Sequence, residues 1–373
     1  MQLRKAPTGL TALCAAISLV AATAASADGV VTTLSGYGTV GGSFTSDSNY
    51  AYRHDSSEFK GASSDLDLGL ESRIGVQAVF DFGTEFSVTV QEVARERGDK
   101  SFEPGTEWFY AQYAPNAEWT LRLGRVALGT FLLSDSRLVG YAVPWFHAPN
   151  EVYAYEPFQF VDGGQILWHK RVGEFGVTLQ SSYGTTEAKE QALGVTLDAT
   201  AHSVFNGSAA IEFGNFVLRV AQTQFVFPTS VALSPSFSLS YNEQDKFTSV
   251  GFQYDDGSVL LLSEWTKRNE SKAPLANLPL FAGQAWYVAG GWRFGKITPL
   301  LMLANSKPEL SLATPAGSFT SESVTLRYDV AHNVALKAQI TRASSGNFWY
   351  WTMPNYTARE QVDVFALGAD FVF

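Results

Sequence analysis

From about residue 34 to Phe373 the chain alternates apolar and polar positions in short segments, and the connections between them are by turns short and long. The alternation is clearest where Leu66, Leu68, Leu70, Ile74, Val76, Ala78 and Phe80 take one face and Asp65, Asp67, Glu71, Arg73 and Gln77 the other. Asp81-Phe82-Gly83-Thr84 then turns into Phe86, Val88 and Val90, opposed by Ser87, Thr89, Gln91 and Arg95. Phe175, Val177, Leu179, Ser181 and Tyr183 repeat the scheme, as do Val334, Leu336, Ala338 and Ile340 against Lys337, Gln339 and Thr341. Turn-forming residues mark seven tight connections: Asp81–Thr84, Pro115–Glu118, Gly173–Glu174, Gly214–Asn215, Asp255–Gly257, Gly295–Lys296 and Asp329–Asn333. Eight longer stretches separate them, at roughly 45–63, 96–105, 126–163, 185–206, 227–246, 269–283, 306–318 and 344–360. Seven turns and eight loops require sixteen strands, each of about 10 residues. A sandwich has no reason to put its long loops at one end, whereas a barrel closed in a bilayer does. The pattern predicts an all-β transmembrane antiparallel up-and-down barrel of 16 strands, with both termini on the short-turn, periplasmic side.

The amino terminus changes the picture only by addressing the chain. Arg4 and Lys5 precede an apolar run from Leu10 to Ala22, and Ala25-Ser26-Ala27 is an A-x-A cleavage site. Residues 1–27 therefore read as a secretory signal peptide and 28–373 as the barrel. The run is too short to span a membrane. Cys14, the sole cysteine, lies in this leader, so the mature chain is expected to have no thiol or disulfide. Without the leader 24 basic residues face 36 acidic ones, a formal net charge of −12, and no basic stripe supports nucleic-acid binding. The 27 Phe, 15 Tyr and 9 Trp suit the aromatic girdles of a barrel, since no apolar run after residue 27 is long enough for a spanning helix.

The last strand is more specific. Phe365, Leu367, Ala369, Phe371 and Phe373 alternate with Ala366, Gly368, Asp370 and Val372, and the chain stops on the aromatic. This ending resembles the carboxy-terminal assembly signal of Gram-negative outer-membrane proteins, with Phe371 and Phe373 as its residues. Taken with the leader and the strand count, residues 34–373 resemble the Gram-negative diffusion porins. That resemblance implies a water-filled pore in the outer membrane, in contact with lipid. It also implies a homotrimer that passes small hydrophilic solutes and ions passively, and a third loop folded inward to constrict the channel.

The third long stretch, 126–163, is the longest, and its aromatics argue against lying exposed in water. It carries Asp135, Arg137, Glu151, Glu156 and Asp162. Parity turns Arg73, Arg95 and Arg122 inward, with Arg125 at a strand end. An acidic loop across from a basic wall sets a transverse field over a narrow opening, so these nine residues are the expected pore constriction. The usual Pro-Glu-Phe-Gly-like stretch of the general porins is missing from this loop.

No catalytic, cofactor or metal site is expected. His54, His147, His169, His202 and His332 are scattered, with none paired at metal-ligand spacing. His54-Asp55-Ser56 resembles the His-x-Ser of an outer-membrane phospholipase only loosely, in a loop without a rigid frame. Asp65, Asp67 and Glu71 offer oxygens for Ca²⁺, but alternate strand positions spread them along a wall, where they line water. Asn347-Phe348-Trp349-Tyr350-Trp351 offers a stacking surface for sugar rings, or packing within its loop. Two rivals to a passive pore stay open: a substrate-specific channel of the same fold, and a barrel enzyme, which would need a nucleophile and base at the rim.

Overall fold

The computed structural model describes residues 25–27, 29–54, 58, 61–83, 85–97, 100–154, 158–192, 195–234, 237–270, 282–309, 318–344, 351–352 and 361–373. Sixteen strands form the wall. The first eight are β1 (Val30–Thr45), β2 (Arg73–Asp81), β3 (Phe86–Arg97), β4 (Lys100–Tyr113), β5 (Trp119–Ala127), β6 (Phe160–Val172), β7 (Phe175–Ala192) and β8 (Val195–Phe213). The others are β9 (Phe216–Ser234), β10 (Phe237–Asp255), β11 (Val259–Glu270), β12 (Gly283–Trp292), β13 (Ile297–Pro308), β14 (Phe319–Ala331), β15 (Val334–Ser344) and β16 (Gln361–Val372). Each pairs antiparallel with its sequence neighbours, and β16 pairs with β1, so the sheet closes. Ala25–Ala27 adds a short pairing at the foot of β1. Closure satisfies every edge, which a wall in lipid requires.

All seven predicted turns join strands where the sequence places them. The long connections differ. The stretches 96–105, 185–206 and 227–246 are mostly strand: β3 and β4 pair out to Arg97↔Lys100, β7 and β8 to Ala192↔Val195, and β9 and β10 to Ser234↔Phe237. Polar β-formers such as Thr and Ser keep the ladder going after the apolar alternation stops, so hydropathy alone ends these strands too early. Asp65 to Ser72 errs the other way. It is turn rather than strand, with Asp67 Oδ1 accepting from the Gly69 and Leu70 amides at 2.8 and 3.1 Å, and β2 starts only at Arg73. Most of 269–283, 306–318 and 344–360, including Asn347–Tyr350, lies outside the described residues.

Side chains alternate as the pleat dictates. On β13, Leu301 and Leu303 are 63% and 52% exposed, while Leu300 and Met302, which alternate with them, are buried. Aromatic rings cluster at the short-turn end. Phe86 stacks on Tyr113 at 4.6 Å, Phe175 on Phe213 at 4.8 Å, and Phe216 meets Tyr254 at 4.7 Å. At the seam the Phe373 N–H donates to Gly36 O and the Phe373 O accepts from Gly36 N–H, both at 2.9 Å. The Phe373 and Phe371 rings lie over Gly36 and Gly38, where a Cβ would fall 2.3 and 2.4 Å from ring carbon. Glycine at these two positions gives the terminal aromatics their seats.

Candidate functional site

The connection between β5 and β6 is built from two single 3₁₀ turns, Ser134–Ser136 and Gly140–Ala142, and a four-residue helix α1, Asn150–Tyr153. It packs against the wall side chains that alternate with the exposed apolar row. Its apolar residues Leu128, Phe131, Val143, Trp145, Val152 and Tyr153 form one buried cluster with Phe225, Phe247, Leu260, Leu262, Tyr287, Leu300 and Met302 of β9 to β13. Trp145 meets Tyr287 edge-on at 5.6 Å, and Phe131 lies 4.6 Å from Tyr153. Burying such side chains is worth about 1.5–3 kcal/mol each, so the connection is firmly seated.

Polar wall residues hold its backbone. Lys337 Nζ donates to the carbonyls of Gly140 (2.6 Å), Val143 (2.7 Å) and Trp145 (3.0 Å), and pairs with Asp370 at 2.9 Å. Arg327 donates to Tyr141 O, Arg73 to Leu138 O and Arg219 to Gly129 O, at 2.8, 2.9 and 2.8 Å. Gln339 Oε1 accepts the Phe146 and His147 amides, and Glu264 Oε1 accepts that of Leu132. Only Arg73 among these anchors belongs to the predicted site. The others come from strands far along the chain, and nothing local in the sequence links them to the connection.

The predicted charges disperse. Arg73 and Arg95 are Cα partners on β2 and β3. Arg122 donates to Gln112 at 2.9 Å and Gln165 at 3.2 Å and lies over the Tyr110 ring. Asp135 and Arg137 line a pocket with Tyr37, Gln91, Glu107 and Trp108. Glu151 is buried in α1, and Glu156 lies outside the described residues. Arg125 and Asp162 do not face this cavity. They bind each other at 2.7 Å, in register with the exposed Phe109 on the outer face. The reason is parity: β5 runs on regularly to Ala127, so Arg125, three residues past Arg122, points the opposite way, and its cross-strand partner goes with it. On the other side of the connection, Arg293 with Asp255 and Arg327 with Asp329 border a second cavity, with Leu133, Tyr141 and Pro144.

A cluster that sequence spacing did not show lies beside α1. Glu71, expected to line water, is 1% exposed. Its Oε1 lies 2.5 Å from His147 Nε2, and its Oε2 lies 3.2 Å from His54 Nε2. His54 Nδ1 is 3.2 Å from Glu58 Oε1, while Glu58 Oε2 accepts the His54 amide. Tyr52 stacks on His147 at 5.0 Å. Burial alone would push the His54 imidazole down, but Glu58 and Glu71 outweigh it and carry it up to about 10. Burial likewise opposes the Glu71 carboxylate, and His147 and His54 overcome it, holding Glu71 well below the usual carboxylate range. Separations of 93 residues between the histidines, and 17 between His54 and Glu71, leave no local signature to find.

The family model of the Gram-negative porins matches residues 9–347. The chain belongs to that family. No curated protein sequence matches it. Among solved structures, this porin is similar to DcaP, an outer-membrane channel of Acinetobacter baumannii, at 10% identity and a TM-score of 0.61, over 95% of this chain and 100% of that one. It is also similar to an anion-selective porin from Comamonas acidovorans, at 13% identity and a TM-score of 0.57, over 92% and 100% of the two chains. A third likeness is the trimer form of OmpT, an outer membrane protein of Vibrio cholerae, at 14% identity and a TM-score of 0.57, over 93% and 100%. The porin is an outer-membrane channel.

Proposed function

We propose that this porin is a passive, non-enzymatic, water-filled channel for small hydrophilic solutes and ions. In this reading the β5–β6 connection lies in the lumen as its narrowing, and the working assembly is a homotrimer exported by way of the leader. The observation that carries it is the seating of the connection. One side is an apolar cluster with β9 to β13, and the other presents its charged residues Asp135 and Arg137 to a pocket of mixed lining that includes Gln91 and Glu107 beside Tyr37 and Trp108. Solutes then pass on the polar side, along the wall of β1 to β5, where Arg95 and Arg122 stand. Charges there act between low-dielectric walls, where their field is concentrated.

Planar-bilayer recordings in a salt gradient test this. Arg95→Gln with Arg122→Gln is expected to move the reversal potential toward cation preference, and Asp135→Asn toward anion preference. Both shifts should shrink between 0.1 M and 1 M salt, as the Debye length falls from about 10 Å to about 3 Å. Arg342→Gln, on the outer face beside Asp363, should change neither. Reversal potentials that stay at the wild-type value in both folded variants at low salt would refute the path.

A further inference from the structure

We propose that His54, Glu71 and His147 bind a divalent cation of the zinc class, clipping the first and third long connections to the root of β2. The three residues offer two imidazole nitrogens and a carboxylate oxygen, with all ligand atoms within 4.8 Å of one another. Bonds of about 2.0–2.2 Å around a tetrahedral ion separate its ligands by roughly 3.3 Å. His54 Nε2 lies 3.2 Å from Glu71 Oε2 and His147 Nε2 lies against Oε1, so the carboxylate meets an ion between the two rings either through both oxygens or, after a small rotation, through one. The His147–Glu71 contact at 2.5 Å has to open by less than about 1 Å to admit the ion. Three protein ligands leave the fourth position for water. Two nitrogen donors disfavour Ca²⁺ and Mg²⁺, which take oxygen, and the lack of thiolate leaves imidazole-binding metals such as zinc.

The surroundings have the form of a metal site's outer shell. Glu58 accepts from His54 Nδ1, which fixes the ring and frees Nε2 for Glu71. Tyr52 stacked on His147 fixes the second ring, and the two imidazole centroids stand 5.3 Å apart with Nε2 of each toward Glu71. His54, Glu58 and Glu71 come from the segment between β1 and β2, and His147 from the segment between β5 and β6. An ion here therefore cross-links two connections that share no strand. Three buried carboxylates, Glu58, Glu71 and Glu151, act on Tyr52, and the buried Arg53, which donates to Glu58 O at 3.0 Å, is a cation beside them.

Equilibrium dialysis of the full-length porin in detergent against zinc chloride, with the metal counted by atomic emission, decides the matter. One zinc per chain is expected, and cobalt chloride in its place should give the visible absorption of a four-coordinate ion. His54→Ala and His147→Ala should each weaken zinc binding by roughly a hundredfold or more. Glu58→Gln, which leaves all three ligands in place, should weaken it 10- to 100-fold. That variant keeps the test valid if a histidine variant fails to fold. His169→Ala, at an exposed position bonded to Thr178, should bind as wild type does. Wild-type protein that takes up no zinc, or zinc retained at equal affinity by the His54→Ala/His147→Ala double variant, would overturn the site. The first result would identify the cluster as two imidazoles hydrogen-bonded to Glu71 without an ion.

Discussion

A single ammonium group can organise a long stretch of backbone when several carbonyls and a carboxylate converge on it. Lys337 is buried on β15 among three carbonyls of the β5–β6 connection and the Asp370 carboxylate, which also accepts from Thr39 at 2.6 Å. Lys337→Met leaves Asp370 charged and buried without its cation, at a cost of about 3–5 kcal/mol. The urea midpoint of the detergent-solubilised protein should fall accordingly. Lys337→Met with Asp370→Leu should recover most of the loss, and a double variant no more stable than the single would show the carbonyl contacts, not the ion pair, to be decisive. The inward side of Lys337 was legible in sequence, because parity with Gln339 and Thr341 fixes it. Its carbonyl partners were not, being nearly 200 residues away. The same limit explains the histidines: His54 and His147 meet only because closure of the barrel brings their connections together. Arg125 and Asp162 failed for a smaller reason, a strand end placed two residues too early, and one step of parity is enough to move a side chain from water to the outer face.

Among the elements, β16 carries the most sequence information per residue and β7 to β10 the least. The final strand's alternation and its terminal aromatic are plain in the sequence, and the structure seats both rings on the glycines of β1. Deleting Phe373 should therefore impair insertion, because the backbone pair with Gly36 and the ring on it finish the ladder that joins the last strand to the first. Unheated gel electrophoresis of outer-membrane fractions reads this directly. Wild type is expected to migrate as a folded trimer and the truncation to be depleted in that band; equal amounts of folded protein would count against the assembly role, and a wild type running only as monomer would remove the trimer. The turns were legible because Gly, Asn, Asp and Pro mark them at fixed places. The long hairpins of β7–β8 and β9–β10 were not, because their outer halves are held by backbone pairing rather than by an apolar row.

At the scale of the whole molecule the wall is layered. Aromatic stacks ring the short-turn end, leucines and valines fill the middle of the outer face, and charged pairs such as Arg125–Asp162 and Arg342–Asp363 stand toward the long-loop end. This order suits a lipid band bounded by two different interfaces. It predicts the orientation: epitope tags inserted at 193–194 should be labelled on intact cells, and tags at 214–215 only after the outer membrane is opened. Labelling of the 214–215 tag on intact cells would invert the topology. The hold on the β5–β6 connection has a further consequence, for how such a channel changes over generations. Lys337, Arg327, Arg73, Arg219 and Gln339 grip peptide groups, which every amino acid supplies. Substitutions along the connection therefore leave these anchors their acceptors, and a lineage can change its side chains there without having to refold its backbone.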